Sequence, residues 1–375
     1  MVNQSRDPLA VYVHVPFCPS KCGYCDFNSY AMEGEIVGRT VDATVAEIER
    51  SPMRGRPAKT IFFGGGTPTF IPTASLLRIL EAVVVAHPPV EGCEITSEAN
   101  PGTVDASKFA DMREGGFNRV SLGAQSFLDS DLIALGRIHH AGEIERAVNL
   151  ARKSKFESLN LDLMFALPKQ SRKAWEANMD RALALDPDHL SLYCLTIEPN
   201  TAFYKENLKG RLDLPDDESQ VAMYEACCQR MIDEGYFQYE ISNFARKGHE
   251  CRHNLEYWHG CEYAGYGPGA VGSYELEGSR IRATNLKHPV RYCEAVESGE
   301  PLAFEREVLN EDTLRVERIM LGLRLNQGIG MDGLEIAPKK LAKMLTRGWL
   351  EVSENRMRLT EYGRHFCSEV VLELI

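Results

Sequence analysis

Six short apolar runs alternate with amphipathic stretches over the first two-thirds of this chain, and that alternation limits the fold more than any other feature. The strand-like runs cover residues 11–15, 60–63, 94–97, 119–122, 158–163 and 189–195, and helix-period patterns cover 37–50, 75–86, 106–114, 144–154 and 172–185. Serial βα units build a parallel sheet with helices outside it. Several runs are apolar and branched, as strands buried on both faces are. The expected fold class is α/β, a partial (β/α)6 TIM-like barrel, with a full eight-stranded barrel as the alternative. A helix over 216–234, a loop-rich stretch over 239–274 and a small helical or winged-helix module over 311–375 complete the expected layout. The module's short hairpin precedes a last helix. The expected divisions are 1–235, 236–300 and 301–375.

Folds of this kind gather their chemistry at the carboxyl ends of the strands, and polar motifs recur there. Cys18-Pro-Ser-Lys-Cys22-Gly-Tyr-Cys25 directly follows the first run and Gly64-Gly-Gly-Thr-Pro68 the second. Glu98 ends the third, Gln125 follows the fourth, and Asp162 lies late in the fifth. The C-x3-C-x2-C spacing presents three thiolates in one loop, enough for three irons of a four-iron cluster. The iron left over is an open position for a small molecule, as in catalytic zinc sites. The same residues also suit a zinc ion held by His14 and the three thiolates. A disulfide fits poorly, because the cysteines number 11 and residues 1–6 are polar, with no apolar signal core. Successive glycines expose backbone amides and let a ligand approach closely, although a plain strand-to-helix turn uses them too. Gly267-Pro-Gly269-Ala-Val-Gly272 matches G-x-G-x-x-G, but it follows no clear strand and opens no helix, so it is not read as a dinucleotide fingerprint.

The net charge of -12 and the scattered basic residues exclude a general phosphate-backbone binder, so no nucleic-acid partner is expected. No apolar run reaches the length of a membrane span. The cytoplasm, where thiolates stay reduced, is the expected compartment.

The cysteine loop, with an aromatic just before its last cysteine, resembles the radical S-adenosylmethionine (SAM) superfamily. Tyr12-Val-His14-Val-Pro16-Phe-Cys18, the glycine loop, Glu98-Ala-Asn100-Pro101 and Leu122-Gly-Ala-Gln125-Ser-Phe127 resemble, within it, the oxygen-independent coproporphyrinogen III oxidase group. The resemblance implies a [4Fe–4S] cluster on Cys18, Cys22 and Cys25 whose fourth iron chelates SAM, and a reductant protein that supplies the electron for SAM cleavage. It implies SAM contacts at Tyr12, Tyr24, Gly65, Gly66, Thr67, Glu98, Gln125, Arg137 and Asp162.

Two departures set the chain apart from the oxidase. Phe27 stands where the oxidase resemblance asks for a fourth cysteine, and only 17 residues precede Cys18, too few for its N-terminal arm. Cys25-Asp-Phe27-Asn-Ser resembles instead the HemW branch, read as heme chaperones, and His253-Asn254-Leu-Glu-Tyr257-Trp258 matches that branch's H-N-x-x-Y-W motif. This implies heme bound by His253, Asn254, Tyr257 and Trp258, with His253 on the iron, and its delivery to an acceptor protein. Where the acceptor is membrane-bound, peripheral contact with the membrane follows. Apart from the resemblance, the motif reads as a hydrogen-bonded packing cluster. His249, Cys251, His259 and Cys261 flank it as alternative iron or zinc ligands. A decarboxylating radical enzyme and a zinc-stabilised interaction protein are the rival functions. The remaining cysteines, Cys194 and Cys227-Cys228 among them, are expected as buried thiols.

Overall fold

The computed structural model describes residues 7–375; the polar N-terminus read at 1–6 lies outside them. The six expected runs form six consecutive parallel strands: β1 (Leu9–Val15), β2 (Ala58–Gly65), β3 (Pro89–Ala99), β4 (Arg119–Gln125), β5 (Ser158–Phe165) and β6 (His189–Cys194). The two-residue period sorts their faces. On β1, Leu9, Val11, Val13 and Val15 are 0–3% exposed in the main core, while Tyr12 and His14 point to the other face, the lumen. That inner face is polar: Asn160 Nδ2 donates to Ser121 Oγ at 2.7 Å and to Ser191 Oγ at 3.0 Å.

Helices α1 (Glu35–Glu49), α2 (Thr73–Ala86), α3 (Ala106–Glu114), α4 (Asp129–Leu135), α5 (Ala141–Lys153) and α6 (Arg172–Leu183) connect the strands. Asp105 and Ser171 cap α3 and α6 by accepting from the backbone N–H of Lys108 and Ala174. The seven-residue α4 was not expected, since fewer than two turns carry too little periodicity to read. After β6 come α7 (Ala202–Leu208) and α8 (Asp217–Asp233), the latter close to its expected bounds.

The sheet then grows at both edges. β7 (Phe237–Gln238) and β8 (Asn243–Ala245) extend it past β6, with β8 antiparallel to β6, so the eightfold βα alternative is not followed. After α9 (Arg252–Trp258), β9 (Tyr263–Tyr266) pairs parallel to β1, and β10 (Val271–Leu276), β11 (Ser279–Asn285) and β12 (Ala303–Val308) continue antiparallel. The stretch expected to be loop-rich therefore contains β8, α9, β9 and β10. Its strands are short and glycine-rich, and pairing with β1 overrides their weak local preference.

The glycine run set aside as a fingerprint is the β9–β10 turn. A Cβ on Gly267 (φ 97°) would lie 2.4 Å from the His14 carbonyl oxygen, and one on Gly269 (φ 77°) 2.3 Å from Asn28 Nδ2. These glycines let the turn press against β1 and the cysteine loop. Asn28 Nδ2 donates to the carbonyls of Pro268 (3.0 Å) and Lys287 (3.1 Å), locking the contact.

Beyond α10 (Pro289–Ser298), the C-terminal module comprises α11 (Glu311–Gly322), β13 (Ile329–Gly330), α12 (Pro338–Thr346), β14 (Leu350–Ser353), β15 (Arg356–Leu359) and α13 (Cys367–Leu374). Its sheet order is β13-β15-β14, and Ile319, Met344, Met357 and Val370 centre a separate core. The expected hairpin is β14–β15, turned by Glu354 and Asn355 at φ 50° and 57°. β12 still belongs to the main sheet, so the segment expected from residue 301 builds its own core only from α11 onward. Among the described residues, no helix is long and apolar enough to cross a membrane.

Candidate functional site

A cleft of about 340 Å³ opens at the carboxyl rim of the six strands. Cys18, Cys22 and Cys25 line it, together with every residue of the expected SAM set except Tyr12. Tyr12 lies deeper on β1, bonded through its hydroxyl to His14 Nδ1 at 2.9 Å.

The cysteine loop is held from several sides. Cys18 N–H donates to Tyr30 O at 3.0 Å, and Lys21 Nζ donates to the carbonyls of Phe27 and Ser29. A Cβ on Gly23 would lie 2.9 Å from the Phe203 ring. Thr67 Oγ1 donates to Cys18 Sγ at 3.4 Å, and Arg137 Nη1 to Cys22 Sγ at 3.6 Å. His14 is engaged on both ring nitrogens, by Tyr12 and by Asn28 O at 2.8 Å, so it braces the loop rather than offering zinc a fourth ligand. Burial holds its pKa down. Among the described residues, no three His, Cys, Asp or Glu side chains converge on one metal position. A four-iron cluster asks for a different arrangement, one thiolate per iron.

The cleft's other groups suit an amino-acid-bearing ligand. A Cβ on Gly65 (φ 108°) would lie 2.4 Å from the His14 ring, and one on Gly66 2.6 Å from Phe17 O, so only glycines let this loop pack against β1 and the start of the cysteine loop. The β4–β5 register shifts between Leu122 and Gln125, and Gln125 takes φ 65°; this irregularity turns the chain at the rim, where Gln125 lines the cleft. Arg137 donates to Gly123 O at 2.7 Å while its Nε, buried, has no partner, which leaves a donor for a carboxylate. Glu98 accepts from Gly65 N–H at 3.2 Å, and Asp162 accepts from Ser121 Oγ at 2.9 Å and Asn160 Nδ2 at 2.8 Å. Burial, with the charge of Asp162 second, pushes Glu98 up to about 8. Two neighbouring acids short of positive charge favour a cationic or hydroxyl-bearing ligand. The residues present thus fit a three-thiolate cluster with an ammonium-carboxylate ligand beside it.

The sixth strand's contribution was missed. Tyr193, Cys194, Thr196 and Glu198 also line the cleft, and their only sequence signal was their position after the last βα strand. Cys194, expected as a buried thiol, is exposed, because it ends β6 at the rim instead of facing the core; its Sγ lies 3.4 Å from Gln220 Oε1. Cys227 is buried and Cys228 half-buried.

A second chamber, of about 550 Å³, lies between β9–β11 and α11, with the end of α9 at one side and Tyr12 in its wall. α9 packs against the amino ends of the strands. Glu94 of β3 accepts from the backbone N–H of Arg252 (3.2 Å) and His253 (3.0 Å), satisfying the helix start. His253 is 1% exposed and stacks on Phe62 with centroids 5.0 Å apart. Its Nδ1 pairs with Thr60 Oγ1 and its Nε2 with Tyr257 OH, both at 2.9 Å, and burial pulls its pKa down to about 3. Asn254 is half-buried. Tyr257, Trp258, His259 and Cys261 line the chamber, whereas Cys251 is buried near Glu94 and His249 is half-buried.

A radical SAM superfamily model matches residues 12–182, and a HemN C-terminal domain model matches 309–366. Across 377 residues, 96% of this chain and 97% of the relative, the sequence is 37% identical to the heme chaperone HemW of Bacillus subtilis. The chain belongs to the HemW family of the radical SAM superfamily. The HemW of Escherichia coli is likewise 37% identical, over 97% of each chain. Among solved structures, the coproporphyrinogen III oxidase HemN of Escherichia coli superposes with a TM-score of 0.85 over all of this chain and 91% of that one. At 24% identity that likeness shows the fold. The HemW-family fold thus joins a rim cleft to an added strand layer and a small C-terminal module.

Proposed function

We propose that this protein is a cytoplasmic heme chaperone of porphyrin metabolism that binds heme, holds a [4Fe–4S] cluster with SAM, and passes heme to an acceptor protein. The observation that carries this reading is its 37% identity, over nearly the full length, to two proteins of that name. Phe27, at the position where the oxidase resemblance asks for a cysteine, supports it against the decarboxylating alternative.

Cys18, Cys22 and Cys25 hold the cluster, which supplies one-electron chemistry to SAM when both are bound. The protein's own part is electrostatic. Thr67 and Arg137 donate to the Cys18 and Cys22 sulfurs and stabilise their thiolates. The free Nε–H of Arg137 meets a ligand carboxylate, and Glu98 and Asp162 accept from ammonium and hydroxyl groups. His253, Asn254, Tyr257 and Trp258 form the heme platform, with Tyr257 and Trp258 supplying flat faces. For His253 to ligate iron, its Nε2 must exchange Tyr257 for the metal. A reductant protein and a heme acceptor, soluble or membrane-attached, are the partners.

The test is heme titration of the anaerobically reconstituted protein, with and without SAM, followed by mixing with an apo-acceptor whose activity requires heme. Faster reactivation than free heme gives supports the proposal. Absence of heme uptake, a colourless zinc-loaded protein, or a vinyl-bearing product from coproporphyrinogen overturns it.

A further inference from the structure

We infer that heme sits in the chamber below the rim cleft, with its iron on His259 and its two propionates on Arg280 and Arg318. This rests on the heme-binding function proposed above and assigns the seat. His253 becomes a positioning residue that holds Tyr257 and anchors α9.

The chamber has the size of a small-molecule site, at about 550 Å³, and it lies apart from the cleft lined by the three cysteines. One wall is aromatic. Tyr257 meets Tyr263 edge-on, with centroids 4.7 Å apart at 84°, and Trp258 ends α9 beside them. Cationic groups lie beside it on the same sheet face, where Ser273 of β10 pairs with both Tyr263 and Arg282. β11 presents Arg280 and Arg282 on one face, two residues apart. Arg282 is matched by Glu307 and Glu317. Arg280 and Arg318, by contrast, form no ion pair among the described residues. Arg280 donates to Ser273 Oγ (3.0 Å) and the carbonyls of Gly260 and Cys261; Arg318 donates to the carbonyls of Asp332 and Gly330. Each guanidinium has five N–H donors, so both keep donors in reserve. Burial pulls the Arg280 pKa below its ordinary value, against the attraction of Glu262 and Glu275. Two unmatched guanidiniums in a chain of net charge -12 point to a ligand with two carboxylates. Aromatic side chains lining the same chamber suit a planar macrocycle.

The iron ligand follows by comparing the three candidate side chains. His253 has both nitrogens bonded and is walled in by Phe62 and Tyr257. Cys261 lines the chamber, but its thiol is half-buried and engaged by the Glu256 carboxylate. His259 is exposed on the chamber wall, and in its one side-chain hydrogen bond among the described residues its Nε2 accepts from the Gln327 amide at 3.0 Å. It forms the C-cap of α9, and Gly260 (φ 66°) stops the helix there. The motif helix therefore brings Tyr257, Trp258 and the imidazole one residue beyond them to the same chamber.

The experiment titrates purified full-length protein with hemin and with hemin dimethyl ester, read in the Soret region, with far-UV circular dichroism as a fold check. H259A should lose the imidazole-ligated spectrum, while C261A should keep it. R280A/R318A should weaken hemin at least about tenfold and leave the diester, which has no propionate charge, bound as in wild type; R280K/R318K should recover part of the loss. An unchanged spectrum in H259A, its loss in C261A, or wild-type hemin affinity in R280A/R318A overturns the assignment. If wild-type protein still takes up heme and reactivates the apo-acceptor in those cases, only the seat is wrong. If wild-type protein takes up no heme, the function and the seat fall together.

Discussion

Glu47 on α1 ties together three pieces of chain that lie more than 200 residues further on. It accepts from Gly267 N–H (2.8 Å), Asn285 Nδ2 (2.6 Å) and Tyr292 OH (2.6 Å). All three are donors, so an amide in its place sets NH2 against NH2. E47Q should cost about 1–3 kcal/mol in denaturant unfolding. Burial pushes Glu47 up to about 7 against an ordinary 4.5, so the folded state binds the proton more tightly. The stability this contributes is complete below about pH 4.5 and is lost as pH rises through 7; the E47Q stability profile should lack that fall, which parallel melts at pH 5 and pH 8 would detect. Glu98 offers a second titration. With its pKa near 8 in the cleft, it is protonated at neutral pH, so an ammonium-bearing ligand gains its full attraction only as the proton leaves. SAM affinity should rise as pH rises through 8 in wild type and stay flat in E98Q, by calorimetry on reconstituted protein. The rim acids were readable because each lies in the carboxyl half of a strand. The state of His253 was not, since its bonds to Thr60 and Tyr257 join residues on β2 and α9.

Apart from α4, the βα elements of the first 194 residues follow from local chemistry: two-residue and 3.6-residue periods, caps such as Asp105 and Ser171, and glycine at the turns. α9 and β9 did not, because seven-residue and four-residue elements show no period of their own. Their stability comes from partners, Glu94 at the start of α9 and β1 alongside β9. The β9–β10 turn makes the same point through its glycines. G269A places a methyl 2.3 Å from Asn28 Nδ2 at φ 77°, so backbone strain of about 1 kcal/mol adds to displacement of Asn28. The expected result is a lower melting temperature and fewer irons per chain after anaerobic reconstitution, because Asn28 belongs to the loop that carries the cysteines. G248A, also at positive φ (87°) but with open space around it, is the control and should lose only the strain energy, with iron content unchanged.

Among the contacts that tie the C-terminal module to the main body, Arg324 makes an ion pair and a ring contact. It pairs with Glu240, which is 0% exposed, at 3.4 Å, and its guanidinium lies 4.7 Å from the centroid of the Trp258 ring. R324M removes the counter-charge from a buried carboxylate while keeping apolar contact with the indole. A cost of about 3 kcal/mol is expected, the low end for a broken buried pair because Arg324 itself is 32% exposed. Limited proteolysis should then release a C-terminal fragment sooner than in wild type. Since α11 walls the lower chamber, the same variant should weaken hemin binding without lowering iron content.

Order along the chain was enough to specify six parallel strands and a polar rim, because alternation, capping and turn chemistry act between near neighbours. It was also enough to put three thiols in one short loop. Whether an imidazole is walled in or open to a chamber, and whether an arginine finds a carboxylate, depends on pairings between segments far apart in the chain. Those pairings form only when β9 docks on β1 and α11 closes over the added strands, which is why His253 and His259, six residues apart, end in opposite environments.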